Sequence, residues 1–160
     1  MRLAIALLGI IFSLLLTATG AQSSEKKIKL DKLPKPVVDA VKEKFPDAKL
    51  TKAVEETEKN TTVYKVSFKH KDHTYEGDYK KDGSVISLNR QIELKELPNT
   101  VAKSIEEKYP KARINLIEEA IKNDKVTHYE LALVTSDKKE VDVEIDPEGK
   151  ILKEEKSEKD

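Results

Sequence analysis

Residues 32–50 read KLPKPVVDAVKEKFPDAKL, and residues 96–114 read ELPNTVAKSIEEKYPKARI. Both open on Leu-Pro and close on an aromatic-Pro pair. Aligned on Leu33-Pro34 and Leu97-Pro98 at an offset of 64, Val37, Val41, Phe45 and Ala48 fall on Val101, Ile105, Tyr109 and Ala112. In each copy three of these residues lie four apart, which lays one apolar stripe along a helix of about three turns. The leading proline starts the helix where no amide donor is needed, and the trailing proline pushes the aromatic before it out of helical geometry. A helix this short is not stable alone in water. Each needs a surface to cover.

That surface is legible downstream. Tyr64-Lys65-Val66-Ser67-Phe68 meets Tyr129-Glu130-Leu131-Ala132-Leu133 at an offset of 65, and Lys80–Ile86 (KKDGSVI) meets Asp146–Leu152 (DPEGKIL) at 66. Self-similarity at one long period reads as tandem copies of one supersecondary unit. Strands are predicted at Leu50–Glu56, Val63–Lys69, His73–Lys80 and Ser84–Leu88 in the first copy, joined by turns too short for anything but antiparallel neighbours. Gly83 and Gly149 supply the positive φ that closes the last turn of each copy. Alternation points Tyr64, Val66, Phe68, Tyr75 and Tyr79 towards the helix, and Lys65, Ser67, Lys69, Thr74, Glu76 and Asp78 away from it. In the second copy Tyr129, Leu131, Leu133, Val141, Val143 and Ile145 point inwards, and His128, Glu130, Ala132, Asp142 and Glu144 outwards. The predicted class is α+β: two tandem repeats, each one α-helix packed on a four-stranded antiparallel meander.

The first residues belong to a different function. Residues 1–21, MRLAIALLGIIFSLLLTATGA, place one arginine before an apolar run and small residues, the layout of a secretory signal peptide. The apolar run is shorter than the roughly 20 residues a membrane span requires, so cleavage after Gly20 or Ala21 is expected. The expected organisation is therefore a leader over 1–21, repeat 1 over 28–92, repeat 2 over 93–153 and a charged, disordered tail over 154–160. With no cysteine in the chain, lipid attachment at the processing site, disulfides and thiolate metal ligands are excluded. A periplasmic or secreted protein without stable membrane association follows. Thirty basic and thirty acidic residues cancel, which argues against a nucleic-acid partner.

These helix, strand and glycine-turn signatures occur in the same order in both copies. In them the chain resembles a tandem of the β-lactamase-inhibitor-like, PepSY-like domains of exported bacterial proteins. The resemblance covers the mature chain and implies a fold like that of β-lactamase inhibitor protein and a place outside the cytoplasm. It does not imply that any enzyme is inhibited.

The chemistry of catalysis is missing from the sequence. It shows no phosphate loop, nucleophile elbow or zinc-protease signature, so the protein is read as non-enzymatic, with no cofactor. His70-Lys71-Asp72-His73 is the one local cluster with metal-binding chemistry, and the second copy has no histidine there. The favoured reading is a binding module that contacts another envelope or extracellular protein or peptide through its polar sheet face, inhibition being one form of such contact. The residues assigned to that contact are Lys65, Lys69, Glu76, Asp78, Glu130, Asp142 and Glu144. The alternative is a metal- or small-ligand-responsive protein that uses the His70/His73 hairpin. The mature chain has two arginines, Arg90 and Arg113, and its aromatics fall on core positions or helix ends. A tight interface anchored on aromatic and arginine side chains is therefore not expected.

Overall fold

The computed structural model describes residues 24–58 and 61–157. The expected leader over 1–21 lies outside them. The chain forms β1 (Ser24–Ile28), α1 (Lys35–Lys44), β2 (Lys49–Glu58), β3 (Thr61–His70), β4 (His73–Lys80), β5 (Val85–Gln91), α2 (Asn99–Lys108), β6 (Arg113–Lys122), β7 (Lys125–Val134), β8 (Glu140–Ile145) and β9 (Ile151–Ser157). The strands make one antiparallel sheet in the order β1 to β9, each beside its sequence neighbour. Among the described residues this is an α+β fold of nine strands and two α-helices.

Both helices start as the sequence requires. Pro34 and Pro98 sit at the N-caps, and Phe45 and Tyr109 leave helical geometry at the C-caps, their amides still bonding Val41 and Ile105 carbonyls. Val37 and Val41 have no exposed surface and pack with Leu33, Phe45, Tyr64, Val66, Phe68, Tyr75, Tyr79 and Leu88. Val101 and Ile105 do the same with Leu97, Tyr129, Leu131, Leu133, Val141, Val143 and Ile145. The inward set read from the sequence is thus buried in both copies.

Gly83 and Gly149 adopt φ of +89° and +88°. A Cβ at Gly83 would stand 2.6 Å from the Pro36 carbonyl oxygen, and one at Gly149 2.9 Å from the Thr100 carbonyl oxygen. Each turn is therefore pressed against the first turn of its helix, which only glycine permits.

Three features differ from the sequence reading. β1 was not expected; it precedes the first helix and pairs with β2 from Ser24↔Thr57 to Ile28↔Ala53. The two copies also share hydrogen bonds: β5 joins β6 through Asn89↔Ala120, Arg90↔Glu119 and Gln91↔Glu118, so the meander runs on without a break. Finally, Glu154–Ser157 are not a disordered tail. They complete β9, where pairing with β8 and the Lys108–Glu154 ion pair at 2.5 Å hold them; residues 158–160 lie outside the described residues.

Candidate functional site

The helices cover one face of the sheet. The other face carries the polar residues read from the alternation, and its register decides what they can do. Lys65 lies opposite Asp78 and also pairs with Glu56 at 2.8 Å. Ser67 donates to Glu76 at 3.1 Å, and Ser87 donates to Asp78 at 3.0 Å. Burial holds the Asp78 carboxyl above its ordinary pKa, against the lowering effect of Ser87 and Lys65. Lys69 is exposed at the end of β3, opposite Thr74. In this half of the face Glu56, Glu76 and Asp78 each have a hydroxyl or ammonium beside them, although Glu25 on β1 lies opposite Glu56.

The other half is built differently. Glu118 on β6 stands opposite Glu130 on β7, which stands opposite Glu144 on β8. Directly opposed side chains on neighbouring strands have Cβ atoms about 4.5–5.5 Å apart, and like charges there are destabilising. Glu130 is answered by two donors: His128 Nε2 lies 3.2 Å from Oε1, and Asn89 Nδ2 donates to Oε2 at 3.3 Å. The bond to Glu130 raises the His128 pKa. Glu118 has less help. Burial, then Glu130 and Glu76, push its pKa up to about 7, opposed by the Asn89 amide. Glu144 Oε1 is buried without a hydrogen bond; Lys153 Nζ is 3.9 Å from it and only 2.7 Å from Glu155. Asp142 lies opposite Ala132 and Glu155, and burial raises its pKa too.

The first copy serves as an internal control. At the positions of Glu118, Glu130 and Glu144 it has Val54, Lys65 and Asp78, an apolar residue followed by a charge pair in register. The fold therefore does not require a row of carboxylates. Glu130 and Glu144 were among the residues assigned from the sequence; Glu118, which completes the row, and Asn89, which reaches Glu130 from beside it, were not.

The His70/His73 hairpin does not form a metal-binding cluster. The two residues pair across the turn on the helix side of the sheet. His70 packs against Phe45 and Tyr75, with its Nδ1 buried and unbonded, whereas His73 lies 3.3 Å from the Gln91 carbonyl oxygen and 3.8 Å from Glu96. Among the described residues no group of three or more His, Asp or Glu side chains is arranged to hold a metal ion. No helix among them is long and apolar enough to cross a membrane.

A family model described as "Putative beta-lactamase-inhibitor-like, PepSY-like" matches residues 21–87 and again 63–153. The chain belongs to this family. Among solved structures of similar fold, a BLIP-like protein from Bacteroides fragilis has a TM-score of 0.61 and 17% identity, over 76% of this chain and 84% of that one. A DUF2874 family protein from Bacteroides uniformis has a TM-score of 0.66 and 12% identity, over 77% and 88%. A protein from Bacteroides eggerthii described among "putative periplasmic proteins" has a TM-score of 0.66 and 13% identity, over 77% and 88%. At these identities the likeness is one of fold. No curated protein matches the chain.

In this PepSY-like chain the seam between copies is also a site of buried charge. Glu119 is 6% exposed, and Arg90 Nη2 reaches its Oε2 at 2.6 Å on the helix side of the sheet. Tyr75 lies opposite Arg90, and Tyr129 opposite Glu119. Alternation alone could not have found Glu118 and Glu119. Bulges at Leu50/Lys52, Ile114/Leu116 and Ala120/Ile121 reset which residues face which side.

Proposed function

We propose that this chain is an exported, non-catalytic binding module that takes a lysine- or arginine-bearing protein or peptide segment across the outer face of its sheet. One observation carries the reading: Glu118, Glu130 and Glu144 stand in register where the first copy has Val54, Lys65 and Asp78. Like charges in one row oppose folding, and a cationic partner would relieve that repulsion. Glu76 and Asn89 lie one pair along from the row, Asn89 opposite Ala120 and reaching Glu130 diagonally, so the polar groups extend from β4 to β8, about 19 Å at the usual strand spacing. An extended peptide of about six residues covers that length.

The remaining parts of the reading follow from the same framework. Each copy, 28–92 and 93–153, is one helix on four strands, supported by the matching registers of β2–β5 and β6–β9. Residues 1–21 direct export, which accords with the periplasmic description of the Bacteroides eggerthii protein. Lys65, Lys69, Glu76 and Asp78 extend the contact onto the first copy, where their mixed charge selects the partner's register. The contact is salt-sensitive, because charges that still reach solvent, Glu130 and Glu144 with about a fifth of their side chains exposed, carry it.

The test is capture from an envelope fraction at low and high salt, with the chain from Gln22 as bait. Beside it run Glu118→Gln/Glu130→Gln/Glu144→Gln and the charge reversals of Lys65, Lys69 and Glu76. A partner held at low salt by the wild type and lost from the triple glutamine variant, whose fold is intact, is expected. Equal capture by the triple variant would overturn the acidic row as the contact.

A further inference from the structure

One register position is used three times in this sheet. On β5, Arg90 faces Glu119 of β6. On β1, Lys26 faces Glu55 of β2, and Glu55 stands opposite Tyr64 as Glu119 stands opposite Tyr129. On β9, Lys156 lies opposite Val141 as Arg90 lies opposite Tyr75. The preceding residue repeats as well: Glu25-Lys26 on β1 and Glu155-Lys156 on β9. β1 thus does for the first copy what β5 does for the second. β9, the counterpart of β5, is the last strand of the sheet and has no strand beyond it among the described residues.

From this threefold use we propose that copies of the chain associate head to tail by strand exchange. The β9 strand of one copy takes the β2 edge of the next in place of that copy's β1, setting Lys156 against Glu55. The displaced strand is a small loss. β1 has five residues; Glu25, Lys26 and Lys27 are exposed, and Ile28 is partly buried against the core. Charged residues on an edge strand usually discourage pairing, yet β1 carries the same Glu-Lys pair and is already hydrogen-bonded to β2. Charge favours the arrangement too. In that register Lys156 meets Glu55 and Glu155 meets Glu56, as Lys26 and Glu25 do now, so the entering strand keeps the charge pattern of the one that leaves; the long-range attraction comes from the halves, 16 basic and 12 acidic residues over 24–92 against 13 and 18 over 93–160. The same patch is not used on both partners, so the contact extends into open chains or closes into a ring. Because one strand replaces another of like character, association is weak and rises with concentration.

The chain has no cysteine, which makes the test clean. The chain from Gln22, which contains every described residue, is prepared with Glu55→Cys and Lys156→Cys and oxidised at rising concentration. A ladder of disulfide-linked multimers that needs both cysteines and weakens with salt is expected. A second variant, Lys26→Cys/Glu55→Cys, locks β1 onto β2 within one copy and should abolish the concentration-dependent rise in light-scattering mass seen for the wild type. Three results would each overturn the proposal: monomers throughout, equal ladders from a Lys103→Cys/Lys156→Cys control, or unchanged association of the locked variant.

Discussion

Arg90 and Glu119 face each other across the joint between the two copies, with Nη2 2.6 Å and Nε 2.8 Å from the same carboxylate oxygen. β5 and β6 pair over three residues, whereas β2 and β3 pair over nine. This ion pair therefore sits where the sheet is least reinforced by backbone bonds, and where the two apolar clusters meet. Removing one member of a buried pair strands the other charge, at a cost of about 3–5 kcal/mol. Arg90→Ala strands the buried Glu119 and should destabilise the fold by that order in denaturant titration, whereas Glu119→Ala leaves the Arg90 side chain, 30% exposed, to water and should cost less. Arg90→Met/Glu119→Leu should recover most of the loss, since an apolar pair leaves no stranded charge.

Glu118 gives a pH dependence with a definite sign. Its pKa in the fold is pushed up to about 7, above the ordinary value of 4.5, so the folded chain holds its proton more tightly than the unfolded chain. The ionised form is the strained one. This site's contribution to stability therefore falls as pH rises from about 4.5 to 7, and the penalty is complete above 7. Glu118→Gln should be more stable than wild type at pH 8 by an amount on the order of 2 kcal/mol, and nearly equal to it at pH 4.5. Melting curves at the two pH values decide; a gain independent of pH would mean that repulsion in the row is not its source.

The glycine turns make a paired prediction. Alanine at φ near +90° is strained in either copy, and left-handed backbone costs a non-glycine residue roughly 1–2 kcal/mol before any clash. Gly83→Ala brings its Cβ to 2.6 Å from a backbone oxygen of α1, and Gly149→Ala to 2.9 Å, with Ser104 Oγ also at 2.5 Å. Both should lower the midpoint of unfolding, Gly83→Ala by more, because the Ser104 side chain can rotate away and the Pro36 carbonyl cannot.

The histidine hairpin should be indifferent to metal. His70 packs edge-on against Phe45 and Tyr75 and His73 is directed to Gln91 and Glu96, so converging both on one ion would break those contacts. Millimolar Zn²⁺ is expected to leave the melting temperature unchanged. A rise that disappears in His70→Ala/His73→Ala would revive the metal reading.

Local sequence carried much of the fold because its signals are local. The Leu-Pro and aromatic-Pro brackets place α1 and α2 to within a residue, and the alternation of Tyr64–Phe68 and Tyr129–Leu133 assigns their faces. Within one hairpin, the short turn fixes the register and the buried face protects it. The candidate face was legible to the same extent: Lys65, Glu76, Asp78, Glu130, Asp142 and Glu144 all lie on it. Glu118 escaped, because in the stretch Ile117-Glu118-Glu119-Ala120 two adjacent acids face opposite sides of the sheet between two bulges. β1 escaped because SEKKI shows no apolar alternation; its partner β2 makes it a strand.

From the order of residues alone came the duplication, the helix limits, the inward and outward faces and the glycine turns, each set by contacts within a few residues or one hairpin. The packed chain decided the rest. The joining of two meanders into one sheet, the burial of Glu119 under Arg90 and the alignment of Glu118, Glu130 and Glu144 depend on how separate strands meet. Cross-strand register, bulges and desolvation fix those relationships between residues as far apart in sequence as Asn89 and Glu130.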